Sequence, residues 1–323
     1  MKILLISTSV VPVGAGRYGG IEKNVWDLAA GLQRANKSVC IAAPKGSEPP
    51  KGVRLIETVK LPEQQDRDDI ALEKYIFEDF DFAHDFSHKH ELGKTGNCPA
   101  CYMVWDPMVI RYDKSPYNIC CLSDWQLQRW FTMYGRPARV FPKWGWVGPE
   151  YHPVKDPERK RFLFIGKLTR EKGGLEAIEL CRKAGVGLDV VGGLIPSDNQ
   201  DYMRQLIRKE DGLNVKVWFD VMESTKIGMM QNARAILYPL QFDEAHNMVA
   251  VEASQCHTPM ISYARGALPS LGITHCVKTP EEFLEAMKTV DDWFVPSKED
   301  WSVDSRIPTY LDFYGQIMRG LRW

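Results

Sequence analysis

Two glutamates define the chemistry this chain could do. Glu244 and Glu252 flank the run Ala245-His246-Asn247-Met248-Val249-Ala250-Val251. Just upstream, Ala233-Arg234-Ala235-Ile236-Leu237-Tyr238-Pro239 reads as a buried strand that a proline stops. From Met248 to Gln255 there is no glycine or proline, and the run reads as a helix. Glu244 then lies on the loop at a strand's carboxyl end, with Asn247 and Met248 where the helix begins. In an open α/β sheet that end forms the ligand crevice. The helix's first N–H groups have no partner within the helix and favour an anion. Glu252, near the second helical turn, could face the same crevice. Carboxylates grip sugar hydroxyls through charge-assisted hydrogen bonds, which are stronger than neutral ones. One acid would sit beside the substituent of a bound phosphate and the other would reach a hydroxyl further along. The plainer reading is two solvated surface acids, the ordinary fate of glutamate.

A second constellation is Lys167-Leu168-Thr169-Arg170-Glu171-Lys172-Gly173-Gly174, between an apolar strand at 161–166 and a helix at 175–183. Two lysines in a loop at a helix amino terminus, with glycines permitting close approach, describe a diphosphate cradle. A third is the glycine-rich stretch Gly14-Ala15-Gly16-Arg17-Tyr18-Gly19-Gly20, between a strand at 2–8 and an amphipathic helix at 21–32. It satisfies the dinucleotide fingerprint G-x-G-x-x-G, but Val11-Pro12 separates it from the strand. The next strand ends in Ala42-Ala43-Pro44-Lys45, with no acid for a ribose. A dinucleotide-dependent dehydrogenase is therefore disfavoured.

Taken together, Glu244-x7-Glu252 with Ala253 and Thr258-Pro259 after it resembles the E-x7-E signature of retaining glycosyltransferases of the GT-B fold, family 4 (glycosyl transferases group 1). The cradle resembles that family's G-R-L-x-x-x-K-G, with Lys172 on the motif's lysine and Lys167 in place of its arginine. That exchange keeps the charge and loses the planar fork. Gly19 and Gly20 stand where the family's first loop approaches the donor diphosphate. Val191-Gly192-Gly193 resembles its V-G-x-G turn. The segment 82–88 resembles its D-V-V-H strand and following loop. Two positions depart from the pattern: Trp105-Asp106 stands where many members carry a histidine, and Ser270 stands where a glutamate is usual.

The resemblance implies a role for each of these residues. Glu244 and Asp106 would act at the reacting sugar. Lys167, Lys172, Gly19, Gly20, Asn247 and Met248 would hold the donor diphosphate, and Glu252 the ribose. Gly166, Gly192, Gly193, Tyr238 and His246 would lie near the base or sugar. His84 and Trp105 would touch sugar or acceptor. The substrate implied is a UDP-, GDP-, ADP- or dTDP-sugar, with no cofactor and no metal required. The acceptor is a hydroxyl on a carbohydrate, a lipid-linked molecule or another compound, and peripheral membrane contact stays open.

Composition bounds these readings. At 323 residues two domains are expected, since one core rarely serves more than about 250–300. The net charge of −1 gives no basic footprint for nucleic acid. No apolar run nears the roughly 20 residues of a membrane-spanning helix, and the amino terminus reads as a buried strand. Most of the eight cysteines sit in apolar contexts, as in a reducing, cytoplasmic protein. Cys98-Pro99-Ala100-Cys101 has no second pair to complete a zinc site, and His84, His88 and His90 are better explained as one core and two loop histidines.

The expected architecture is α/β: GT-B, two Rossmann-like doubly wound parallel-sheet domains facing across a cleft. They would span 1–148 (acceptor side) and 149–298 (nucleotide-sugar side), with 151–160 as a polar linker and 299–323 as a terminal helix crossing back to the first domain. The expected activity is retaining, metal-independent glycosyl transfer. Two alternatives remain: a nucleotide-sugar epimerase on the same fold, and a non-catalytic nucleotide-sugar-binding subunit.

Overall fold

A computed structural model describes residues 1–8, 11–14, 19–58, 80–88, 90, 98–105, 117–193 and 200–323. Asp106 lies outside the described residues, as do 66–79, whose acidic amphipathic pattern predicts a helix, and 91–97 and 108–115, whose sequence reads as acceptor-side loops. The chain divides into two compact units, Met1–Trp146 with Ser302–Trp323, and Val147–Trp301.

The first unit is built on seven parallel strands: β1 (Lys2–Ile6), β2 (Ser38–Pro44), β3 (Arg54–Thr58), β4 (Phe82–Asp85), β5 (Ala100–Met103), β6 (Ile119–Cys121) and β7 (Arg139–Val140). Their order is β3-β2-β1-β4-β5-β6-β7. Short runs such as Ile-Leu-Leu-Ile are apolar at every position because helices cover both faces of a parallel sheet. Helix α1 (Gly20–Arg34) buries Val25, Leu28, Ala29 and Leu32. Helix α2 (Asp124–Tyr134) starts where the Ser123 hydroxyl accepts the Gln126 N–H, and it ends at Gly135 in the left-handed region.

The second unit has six parallel strands, β8 (Phe162–Ile165), β9 (Leu188–Gly192), β10 (Val215–Phe219), β11 (Ile236–Tyr238), β12 (Met260–Tyr263) and β13 (His275–Val277), in the order β10-β9-β8-β11-β12-β13. The connecting helices are α3 (Gly174–Ala184), α4 (Gln200–Lys209), α5 (Glu223–Asn232), α6 (Met248–Gln255), α7 (Leu268–Leu271), α8 (Pro280–Lys288) and α9 (Val290–Trp293). This strand order is the doubly wound one. It reverses between β8 and β11, so the loops after those two strands splay apart above the sheet and leave a crevice.

The last helix, α10 (Val303–Met318), belongs to the first unit. Its Tyr310, Phe313 and Tyr314 pack against Phe82, His84, Phe141 and Trp146. Trp144 and Trp146 join this core, and Trp130 is buried elsewhere in the same unit. These three tryptophans are therefore packing residues. The segment expected to be a polar linker is instead tied down along the second unit. Tyr151 is fully buried, and Arg159 donates to the carbonyls of Ala233 at 2.8 Å and His257 at 2.6 Å. No helix among the described residues is long and apolar enough to cross a membrane.

Candidate functional site

The reversal between β8 and β11 brings the two sequence constellations together. After β8 the chain runs through Gly166 and Lys167 into a 3-10 turn over Arg170–Lys172 and then α3. After β11 it passes Pro239 and reaches Glu244, and α6 begins past Asn247. The first loop is pressed onto the second. Gly173 has φ of 83°, and a β-carbon there would fall on the Pro239 carbonyl oxygen. Only glycine satisfies both conditions.

This docking puts the Lys172 ammonium on the Glu244 carboxylate. Both side chains are mostly buried, at 16% and 15% exposed. The ammonium also lies 4.7 Å from the centre of the Phe242 ring and 5.7 Å from that of Tyr238. The other Glu244 oxygen accepts from the Asn247 side-chain amide, whose own oxygen caps α6 by accepting the Ala250 N–H at 2.8 Å. One chain of polar contacts thus runs from the cradle lysine through the first glutamate to the helix start. The Met248 and Val249 N–H groups lie in the first turn of α6, where no intrahelical acceptor exists. From behind, Ala267 N–H donates to the Glu244 carbonyl at 2.8 Å, and Gly266, at φ 53°, leaves room for no β-carbon against the Glu244 backbone.

The glycines do related work. Tyr238 lies under Gly166, and a β-carbon on Gly192 would strike Leu168 and the Gly166 carbonyl. Gly193 is buried beside it, while His246 and Met248 are half-buried. Lys167 is exposed and makes no ion pair among the described residues. At the head of α3, Tyr202 donates no anion site but takes one: its hydroxyl accepts the Leu175 N–H at 2.9 Å. That helix end is thus less open to a phosphate than its sequence suggests.

Glu252 stands in a different cluster, with Lys226 of α5. The ammonium is 3.3 Å from Glu252 and 3.0 Å from Glu223, and Glu223 also accepts from the Tyr151 hydroxyl. The Lys226 nitrogen lies 5.3 Å from the Tyr151 ring centre. None of Lys226, Glu223 and Tyr151 carries a signal in the sequence. Their meeting depends on the 147–161 segment folding back over α5.

In the first unit, Gly19 immediately precedes α1 with φ of 152° and Gly20 opens it; beside them Thr8 donates to the buried Glu22. Trp105, at the carboxyl end of β5, donates its indole N–H to the Phe86 carbonyl at 2.8 Å and packs on Phe86 and Trp144. His84 requires a correction. It is fully buried, with its Nδ1 2.8 Å from the Tyr314 hydroxyl and its ring against Phe86 and Phe141. Burial holds its pKa well below the usual imidazole value. It is a core residue with no face left for a sugar. His90, outside any helix or strand, is buried as well, with Nε2 donating to the Met103 carbonyl at 3.0 Å. Among the described residues no group of three or more His, Cys, Asp or Glu is placed to hold a metal ion. At the other departure, the Ser270 hydroxyl turns back to the Ala267 carbonyl at 2.7 Å.

Residues 152–275 match the family described as glycosyl transferases group 1. The match lies within the second unit. The matched span holds the cradle, both glutamates and Lys226. No curated protein matches the sequence. Among solved structures, the chain resembles AviGT4, a glycosyltransferase involved in avilamycin A biosynthesis, at 20% identity and a TM-score of 0.75 over 100% of this chain and 99% of that one. It also resembles sucrose-phosphate synthase from Thermosynechococcus elongatus, at 16% identity and 0.74 over 99% and 100%. A third is Anabaena HepE in complex with UDP-glucose, at 15% identity and 0.66 over 99% and 97%. At these identities the likeness establishes the fold: GT-B, two Rossmann-like units with parallel sheets.

Proposed function

We propose that the chain is a glycosyltransferase that moves a sugar from a nucleotide-diphosphate sugar to an acceptor hydroxyl with retention of configuration and without a required metal. The observation that carries this reading is the Lys172–Glu244–Asn247 chain at the β8/β11 reversal, at the head of α6. The donor diphosphate takes the crevice. Lys172 turns from Glu244 to the phosphate oxygens, joined by Lys167 and by the Met248 and Val249 N–H groups. Together they stabilise the negative charge that builds on the leaving diphosphate. Glu244, released from the lysine, accepts hydrogen bonds from the donor sugar. Glu252, held by Lys226, accepts from the ribose hydroxyls. The cation at the leaving group is supplied by lysine, which is why no metal is assigned.

A thermal-shift screen against UDP, GDP, ADP and dTDP and their sugars, with and without EDTA, tests the donor site. A ligand that binds only the folded chain raises the melting temperature by mass action. The expected result is a shift with one nucleotide that survives EDTA and is lost in Glu252→Ala. No shift with any nucleotide at millimolar concentration would remove the assignment. The anomeric configuration of the product, read by NMR, tests retention.

One observation favours a second reading. At the carboxyl end of β5 stands Trp105, with its N–H committed to Phe86. A chain that binds nucleotide sugar and turns over none in the presence of a broad acceptor panel would be a binding subunit.

A further inference from the structure

One surface lies outside everything assigned above. In the first unit, β6 and β7 are parallel, so α2 between them runs back and ends at the amino-terminal edge of the sheet. That is the edge opposite the ligand crevices of a doubly wound fold. Tyr117 at the foot of β6, Arg136 and Arg139 at the foot of β7, and the segment after α10 all come to this edge. The Trp323 indole donates to the Ile119 carbonyl at 2.7 Å, and the Trp323 carbonyl accepts the Asn118 N–H at 3.2 Å.

Around β6, β7 and the segment after α10 the charge is mostly positive; the edge's acid Asp81, at the foot of β4, is taken by the Lys2 N–H and the terminal ammonium. Arg129, Arg136, Arg139, Arg319 and Arg322 are all exposed. From residue 117 to 140 the sole acid is Asp124, at the far end of α2, and from 313 to 323 there is none. Arg139, Arg319 and Arg322 make no ion pair among the described residues. Two of the guanidiniums are oriented by rings, Arg139 at 4.8 Å from the centre of Trp323 and Arg322 at 5.6 Å from that of Tyr117. A guanidinium stacked by its face keeps its edge N–H groups for phosphate oxygens. Large apolar side chains stand exposed on the same elements: Tyr117 at 66%, Phe131 at 65%, Met133 at 44% and Met318 at 39%.

We infer that this edge of the first unit binds the surface of an anionic lipid bilayer. The arginines answer lipid phosphates, and Phe131, Met133 and Tyr117 enter the headgroup–acyl boundary. A soluble polyanion would answer the charge and leave the exposed apolar side chains without a role, whereas a bilayer engages both.

Co-sedimentation with vesicles tests it. The full chain should bind phosphatidylcholine–phosphatidylglycerol vesicles, fail to bind pure phosphatidylcholine, and bind less as salt rises. Combining Arg136→Gln, Arg139→Gln and Arg322→Gln should weaken partitioning at least about tenfold. Combining Phe131→Ser and Met133→Ser should also weaken it while keeping the salt dependence. Both variants should bind nucleotide sugar as the wild type does, which separates lost docking from lost folding. Three results would each overturn the inference: equal binding to neutral vesicles, anionic binding indifferent to the arginines, or binding that the Phe131/Met133 change leaves intact and soluble dextran sulfate abolishes.

Discussion

Lys226 stands between two carboxylates, with Glu223 at 3.0 Å and Glu252 at 3.3 Å. All three side chains are mostly buried, at 17%, 22% and 12% exposed. Removing the ammonium leaves two acids facing each other with little water. Lys226→Met should therefore destabilise the second unit by roughly 1–3 kcal/mol and weaken nucleotide binding, because Glu252 loses its anchor. Lys226→Arg should restore most of both. Melting curves and calorimetric titrations read the two effects, and a Met variant indistinguishable from wild type would strip Lys226 of this role. A second expectation concerns the thiols. Burial pushes Cys98 and Cys276 up to about 11 and Cys121, Cys181 and Cys256 up to about 12. Thiolate is the reactive form, so these five should react with a disulfide reagent near pH 8 only slowly until urea unfolds the chain. Rapid reaction of any of them in the native state would contradict their placement. Lys172, Glu244 and Asn247 were legible in the sequence because each belongs to a local run that names its own loop or helix start. Lys226 was not. Beyond Glu223 on its own helix, its partners are Glu252 on α6 and Tyr151, in a segment whose prolines and charges read as a linker.

The loops at the strand ends carry the site, and Gly173 lets two of them meet. Gly173 and Gly185 bracket α3 with similar backbone, φ of 83° and 67°. A β-carbon on Gly185 meets open space, while one on Gly173 meets the Pro239 carbonyl. Each Gly→Ala change costs about 1 kcal/mol for the left-handed backbone. Gly173→Ala should cost more than this and also weaken nucleotide binding, whereas Gly185→Ala should leave binding unchanged. Equal behaviour of the pair in melting and binding would mean that the contact between the two loops is not what forms the crevice. Strands and helices of this unit were largely legible. Phe162–Ile165 and Met248–Gln255 fall where the apolar pattern puts them, the strand because one buried on both faces shows as a continuous apolar run. The anchoring of 151–160 was not legible. Arg159 is held by backbone carbonyls of Ala233 and His257, and such acceptors leave no trace in residue type.

For the molecule as a whole, the two units should answer acid differently. Both strongly buried histidines lie in the first unit. Burial holds His90 down at about 4, against a smaller opposing effect of the Met103 carbonyl, and pushes His84 well down among Phe86, Phe141 and Tyr314. Folded, both are neutral at neutral pH; unfolded, each takes a proton near 6.5. Below about 6.5 the unfolded chain therefore binds more protons than the folded one, and stability falls as pH falls. For His90 the loss ends near 4, where the folded form also protonates, and by then it amounts to about 3 kcal/mol. His84 continues the decline to lower pH. In the second unit His275 is also lowered by burial, but it is only partly buried, so its share is smaller. Urea unfolding followed by hydrogen exchange in each unit, between pH 7 and about 4, should show the first unit weakening first. His90→Gln keeps an N–H for the Met103 carbonyl and cannot titrate, so it should flatten that slope. If the first unit's stability is level across the window, or if its slope survives His90→Gln unchanged, the neutral buried imidazole is not the source. The acid sensitivity would then have to come from the carboxylates.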